Sequence, residues 1–225
     1  MISHQHQCIF IHIPKCAGTS IEHALGHFKG HQGRAGQDHR SIRMLQAPML
    51  ERHTFRNLDN LKDVARRLRH KFRPAANPNN RLVVDRLQYQ RYFKFAVVRN
   101  PWFRAYSWYQ NAMRDPIHQR NYGIAAGMSF NLFLRQFVGK GFLRPQTYWL
   151  NNFAGDMCMD YVARFEHLHQ DFDYIRQQLQ LDEMPLPHKI EGQKTDPRLA
   201  FDTESIELIA QYYRDEIALF GYQFE

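Results

Sequence analysis

The chain is poor in cysteine and short of acid. It carries only Cys8, Cys16 and Cys158 in 225 residues. That count is odd and no metal-ligand spacing joins the three, which excludes a disulfide scaffold and a cysteine-built metal site. No apolar run approaches the roughly 20 residues a membrane-crossing helix needs. No signal peptide is visible, because strand-like residues begin before Ile9. Internal repeats and low-complexity tracts are missing as well. Aspartate and glutamate total 22 against 30 lysines and arginines, a formal charge of +8, so acidic partners are expected. Hydrophobic residues make up 44%, enough for one sizeable packed domain over residues 1–225.

One further absence is informative. Cys8 to Ile13 is a short apolar run that breaks at Pro14, and Lys15, Gly18, Thr19 and Ser20 follow. Ile21, Leu25 and Phe28 then recur at helical spacing. Strand, turn and helix in that order place free main-chain N–H groups at a helix start, where they hold phosphate or sulfate. A Walker A loop would need lysine directly before the hydroxyl residue. Here Gly18 precedes Thr19, which disfavours an ATP-using P-loop kinase.

A second segment adds to the first. Phe93–Val98 reads as a buried strand that leads into Arg99, and Pro101 suits the first turn of a helix over about 102–113. That helix carries Ser107. Arginine supplies a forked, permanently charged donor and serine a short hydroxyl donor, a pair suited to one phosphate.

Ile-Pro-Lys-Cys-Ala-Gly-Thr-Ser at 13–20 and Val-Arg-Asn-Pro-Trp-Phe-Arg-Ala-Tyr-Ser at 98–107 resemble the two nucleotide motifs of the sulfotransferases, closest to the Golgi-type carbohydrate branch and its bacterial relatives. Tyr161–Glu166, Asp171-Phe172 and Phe220–Tyr222 are similar to the C-terminal half of that family. The resemblance spans the chain apart from a variable segment at about 43–88. It implies a P-loop-like, three-layer fold and transfer of a sulfuryl group from 3′-phosphoadenosine 5′-phosphosulfate (PAPS) to a hydroxyl, on a carbohydrate, with no metal. It also implies that Pro14, Lys15, Cys16, Ala17, Gly18, Thr19 and Ser20 hold the 5′-phosphosulfate, and that Arg99 and Ser107 hold the 3′-phosphate. Lys194 is assigned to the nucleotide and Gln146 to the acceptor. With no anchor visible, a cytoplasmic, bacterial-like enzyme is expected, and a Golgi-type chain trimmed of its anchor is the alternative. An acidic glycan as partner fits the charge, and nucleic acid is not expected. A non-catalytic nucleotide or glycan binder of the same fold is the competing function.

Lys15 is the expected stabiliser of charge on the leaving oxygen. The acceptor hydroxyl must lose a proton, and His39 in Asp38-His-Arg-Ser-Ile42 is the first candidate base, with His53 second. Arg164 either meets the ligands or pairs with Glu166 in the interior. Trp102 and Phe103 either stack on adenine or pack helix to sheet. Cys16 reads as a space filler in the turn, and His12 as a satisfied core residue. Residues 58–73 form a basic amphipathic helix, with a solvated face or a rim for an anionic acceptor as its two readings.

The remaining pattern gives a short helix near Ser41–Leu50, loop over 114–128, and helices over 130–137, 145–152, 168–179 and 203–219. A strand is expected over 160–165. Strands alternating with helices argue for an α/β fold with a parallel sheet and helices on both faces.

Overall fold

A computed structural model describes residues 1–31, 33, 35–48, 50–183, 186 and 196–225. Strands β1 (Ile2–Ser3) and β2 (Cys8–Ile11) come first. Helices α1 (Gly18–Ala24), α2 (Ile42–Leu45), α3 (Leu58–Phe72) and α4 (Arg86–Arg91) precede β3 (Phe93–Val98). Then follow α5 (Pro101–Arg114), α6 (Pro116–Tyr122), α7 (Phe130–Phe137), α8 (Thr147–Leu150), β4 (Tyr161–Arg164), α9 (Leu168–Gln178), α10 (Thr203–Tyr212) and α11 (Arg214–Phe220). The chain forms two compact units. The first comprises Met1–Val98 and Thr147–Lys189, the second Arg99–Gln146 and Ile190–Glu225.

The first unit is built on a four-stranded sheet in the order β1-β2-β3-β4. β2 pairs parallel with β3 (Ile11 opposite Ala96), and β3 parallel with β4 (Val98 opposite Arg164). β1 pairs antiparallel with β2, so the sheet is mixed rather than wholly parallel. A two-residue edge strand leaves no periodic trace in a sequence, which is why it was not foreseen. Ile9, Phe10, Ile11, Phe95, Ala96, Val97 and Val98 are fully buried. An unbroken apolar run, instead of an alternating one, is what a strand covered on both faces requires. Each such large side chain contributes roughly 1.5–3 kcal/mol on burial. Lys94 interrupts the run because its ammonium donates to the Tyr92 carbonyl (2.8 Å) and lies 3.3 Å from Asp160.

In the second unit, Asn100 caps α5 by accepting from the Trp102 N–H, with Pro101 as the first helical residue. The Trp102 indole N–H donates to the Ile206 carbonyl at 3.0 Å. Tyr106, Phe130 and Phe201 pack ring to ring, with centroids 5.0–5.9 Å apart. Residues 114–128, expected as loop, contain α6. Asp115 caps it, Pro116 opens it, and Gly123 closes it in the left-handed conformation at φ 65°. The start and stop signals were present, but seven residues are too few to show an apolar stripe. The expected 203–219 helix is two helices, broken at Tyr213, whose buried hydroxyl donates to the Leu143 carbonyl. Its cap is Asp202, which exchanges hydrogen bonds with Ser205.

Candidate functional site

In the first unit the chain leaves β2 and turns through Pro14–Ala17 into α1. Lys15 (φ 69°) and Ala17 (φ 60°) are both left-handed. That state costs a residue with a side chain on the order of 1–2 kcal/mol. Left-handed residues on either side of Cys16 curl the backbone so that successive N–H groups line a concavity suited to an anion. No side chain caps α1, and no acidic residue lies in its first turn. Ser20 N–H donates to the Ala17 carbonyl at 3.0 Å; the N–H groups that open a helix before it have no partner within it, so the turn and the start of α1 carry the helix's positive end. Cys16 is buried and its thiol lies 3.7 Å from the Pro14 carbonyl, as expected of a space filler.

A buried ionic chain lies behind this turn. His12 Nδ1 is 3.1 Å from Glu22 Oε1, and Glu22 is fully buried. Glu22 also accepts the Asp38 N–H at 2.9 Å. Burial pushes the Glu22 carboxyl up, but His12, the terminal ammonium and the Asp38 N–H together outweigh it, and the net shift is downward. Asp38 is buried too, and Arg40 grips both its oxygens, at 2.8 and 2.6 Å. Despite the burial, that guanidinium holds the Asp38 carboxyl far below the usual carboxylate range. The sequence reading singled out His12 and Asp38 but missed Glu22. Its signal was an acid set directly between apolar Ile21 and the rest of an apolar helix face.

This chain fixes the segment that carries His39. The His39 ring sits 4.2 Å from the His12 ring, centroid to centroid. Nδ1–H donates to the His12 carbonyl at 3.3 Å, which makes Nε2 the unprotonated nitrogen. Loss of water around the ring pushes the His39 pKa down to about 3, and His12 adds to that shift while Glu22 opposes it. His39 is therefore neutral at pH 7, the form a base requires. Asp38 faces Arg40. His53 is exposed.

Arg164 ends β4, and its main-chain N–H donates to Asp171 at 2.5 Å. Glu166 is exposed. The same unit contains a polar cleft of about 480 Å³, walled by Arg43, Arg56, Asn57, Asn60, Asn151 and Phe153 among others. Much of its polar lining braces the cleft itself. Arg43 donates to Asp63 and to the Tyr148 and Asn151 carbonyls, and Asn60 to the His53 and Phe153 carbonyls. The basic helix α3 is likewise partly committed: Arg66 donates to Asp63 and Tyr148, and Arg67 to the Gln46 carbonyl.

The second unit holds Arg99, Ser107 and Gln146. Arg99 precedes the α5 cap, and Ser107 lies partly buried within α5. Gln146 is fully buried. Its amide accepts from the Arg99 N–H (2.8 Å) and donates to the Arg99 carbonyl (2.9 Å) and to Glu216 (3.1 Å). The sequence pointed Gln146 at the acceptor; here its side chain has no exposed surface and is bonded to Arg99 and Glu216. Trp102 is buried, and Phe103 packs with Phe201 and Phe224, so both serve the helix packing. Lys194 lies outside the described residues. Among those residues, no group of three or more His, Cys, Asp or Glu is placed to hold a metal ion, and no helix is long and apolar enough to cross a membrane.

Compared with known proteins, the chain matches the model of the Sulfotransferase family over residues 1–223. No curated protein and no solved structure gives a match.

Proposed function

The chain belongs to the sulfotransferase family, and from that premise we propose that it moves a sulfuryl group from PAPS to a hydroxyl of a carbohydrate, an acidic one in keeping with the +8 charge. The observation that carries this reading is the Pro14–Ala17 turn, with left-handed Lys15 and Ala17 opening onto an uncapped α1. Strain of that kind persists where an anion is to be held.

In this reading the main-chain N–H groups of the turn, with Lys15, Thr19 and Ser20, hold the 5′-phosphosulfate. Arg99 and Ser107 hold the 3′-phosphate. The acceptor oxygen forms a bond to sulfur while the bond from sulfur to the 5′-phosphate oxygen breaks. Lys15 stabilises the charge that gathers on that leaving oxygen. The products are the sulfate ester and 3′-phosphoadenosine 5′-phosphate (PAP).

The hydroxyl proton goes to His39 Nε2. A base with a pKa near 3 does not deprotonate an alcohol before attack. It accepts the proton only as the O–S bond forms and the hydroxyl turns acidic. A sulfonate held nearby also raises the imidazole pKa, because an opposite charge favours the protonated form.

Thermal shift against PAP and against Mg-ATP tests the donor. PAP at a hundredfold its dissociation constant stabilises the fold by about 2.7 kcal/mol, with no magnesium needed. A shift with Mg-ATP and none with PAP rejects the reading. Incubation with PAPS and a glycan panel, read by mass spectrometry for addition of one SO3, then separates an enzyme from a binder. PAP binding with no product on any acceptor supports the binder.

A further inference from the structure

Gln146 stands where a short piece of sheet would otherwise be. Its side-chain amide accepts the Arg99 N–H and donates to the Arg99 carbonyl, at 2.8 and 2.9 Å. This is the pair of bonds one strand residue gives its neighbour. The second amide hydrogen goes to Glu216 Oε1 at 3.1 Å, and the Gln146 main-chain N–H to Glu216 Oε2 at 2.5 Å. Gln146 is 0% and Glu216 1% exposed, so water does not substitute for either. Burial raises the Glu216 pKa, with Arg104 and Gln146 opposing. Both amide hydrogens of the side chain are used, and so is its oxygen.

The chemistry of the clamp is selective. Only a carboxamide at this reach offers an acceptor and a donor to the two main-chain groups of one residue. Glutamate lacks the donor, methionine lacks both, and asparagine is one methylene short. The residue held is the one just before the α5 cap Asn100, where a small change in φ and ψ swings a long side chain widely. An arginine tip moves by ångströms when its Cα turns, and a forked contact to phosphate tolerates little of that.

We propose that Gln146 is a positioning residue that aims the Arg99 guanidinium, and that through Arg99 it sets the preference for a nucleotide carrying a 3′-phosphate. The inference rests on the reading that Arg99 binds that phosphate. It gives Gln146 no contact with the acceptor.

The experiment is calorimetric titration of the full chain with PAP and with adenosine 5′-phosphate, which lacks the 3′-phosphate. Wild type, Gln146→Met, Gln146→Asn and Arg99→Ala are compared. Wild type binds PAP at least tenfold more tightly than adenosine 5′-phosphate. Gln146→Met lowers PAP affinity at least tenfold and leaves adenosine 5′-phosphate within twofold, so the ratio collapses. Adding Gln146→Met to Arg99→Ala costs little more, because both act on one contact. A role confined to stability moves the melting point, or weakens both nucleotides alike, and leaves the ratio intact. Should Gln146→Met fail to fold, the shorter but still polar Gln146→Asn carries the same expectation. A preserved ratio in the folded variant overturns the positioning role alone. A wild-type protein indifferent to the 3′-phosphate overturns the donor reading and this inference with it.

Discussion

The imidazole of His12 fills the space that a side chain at Gly18 would need: a Cβ on Gly18 would lie 2.0 Å from His12 Cδ2. The ring is anchored by Glu22 and is itself buried, so it has nowhere to retreat. The glycine that opens α1 is thus required by packing alone. Gly18→Ala is expected to cost about 1–3 kcal/mol as an overpacking change. His12→Ala added to it relieves the clash, so in urea unfolding the double variant loses less than the two single losses added together. Strict additivity would show that the ring and the glycine do not compete for this space.

His39 makes stability depend on pH in a defined window. Its pKa is about 3 in the fold against an ordinary imidazole value of 6.5. Between those values the unfolded chain binds more protons than the folded one, so stability falls as pH falls. The contribution is complete above 6.5 and is lost progressively towards 3. Glu22 and Asp38, both shifted downward, act in a lower window, below their ordinary carboxylate values. His39→Gln removes the upper window. Unfolding free energies measured from pH 7.5 to 5 are expected to fall more steeply in wild type, by at most about 1.4 kcal/mol per pH unit, the slope of one proton. Parallel slopes would exclude a His39 that titrates below its ordinary value.

Strands β2, β3 and β4 and helices α3, α5 and α7 were legible because each has a period or an unbroken apolar run of several residues. Legible too was the turn at Pro14–Ala17, since Pro14, Lys15, Gly18 and Thr19 carry their chemistry in their order. What escaped were features that exist only between distant residues. Glu22 meets Asp38 across 16 positions, and Gln146 meets Arg99 across 47. No local pattern announces such pairs. Gln146 was noticed for its place in Arg144-Pro-Gln-Thr147, and that local run says nothing of its bonds to Arg99. The break at Tyr213 depends on a carbonyl at Leu143 and is equally invisible along α10 and α11.

Lys15 is placed in the turn by its own strained backbone, so its removal tests chemistry more than folding. Lys15→Ala is expected to lower kcat by about 100- to 1,000-fold, the usual loss of one donor to developing charge. PAP affinity, read by titration, falls far less, because main-chain N–H groups still hold the 5′ end. Equal losses in PAP affinity and in kcat/KM would assign Lys15 to ground-state binding and remove it from the chemical step.

Asp63 holds Arg43, a wall residue of the polar cleft, from behind. It is 1% exposed and accepts from Arg43 Nε (2.5 Å), Arg66 Nη1 (2.7 Å) and the Tyr148 hydroxyl (3.0 Å). Asp63→Asn keeps the shape and removes the charge. It leaves the buried guanidinium of Arg43 without its counter-ion, a loss of about 3–5 kcal/mol. The pair Lys62–Asp59, on the same helix at 3.1 Å, is the internal control. Its side chains are 63% and 80% exposed, so Asp59→Asn is expected to cost less than about 1 kcal/mol. Urea midpoints of the two variants, read at unchanged slope, make the comparison. Similar losses at both positions would mean that water reaches Asp63, and the bracing of the cleft by Arg43 would then have to be abandoned.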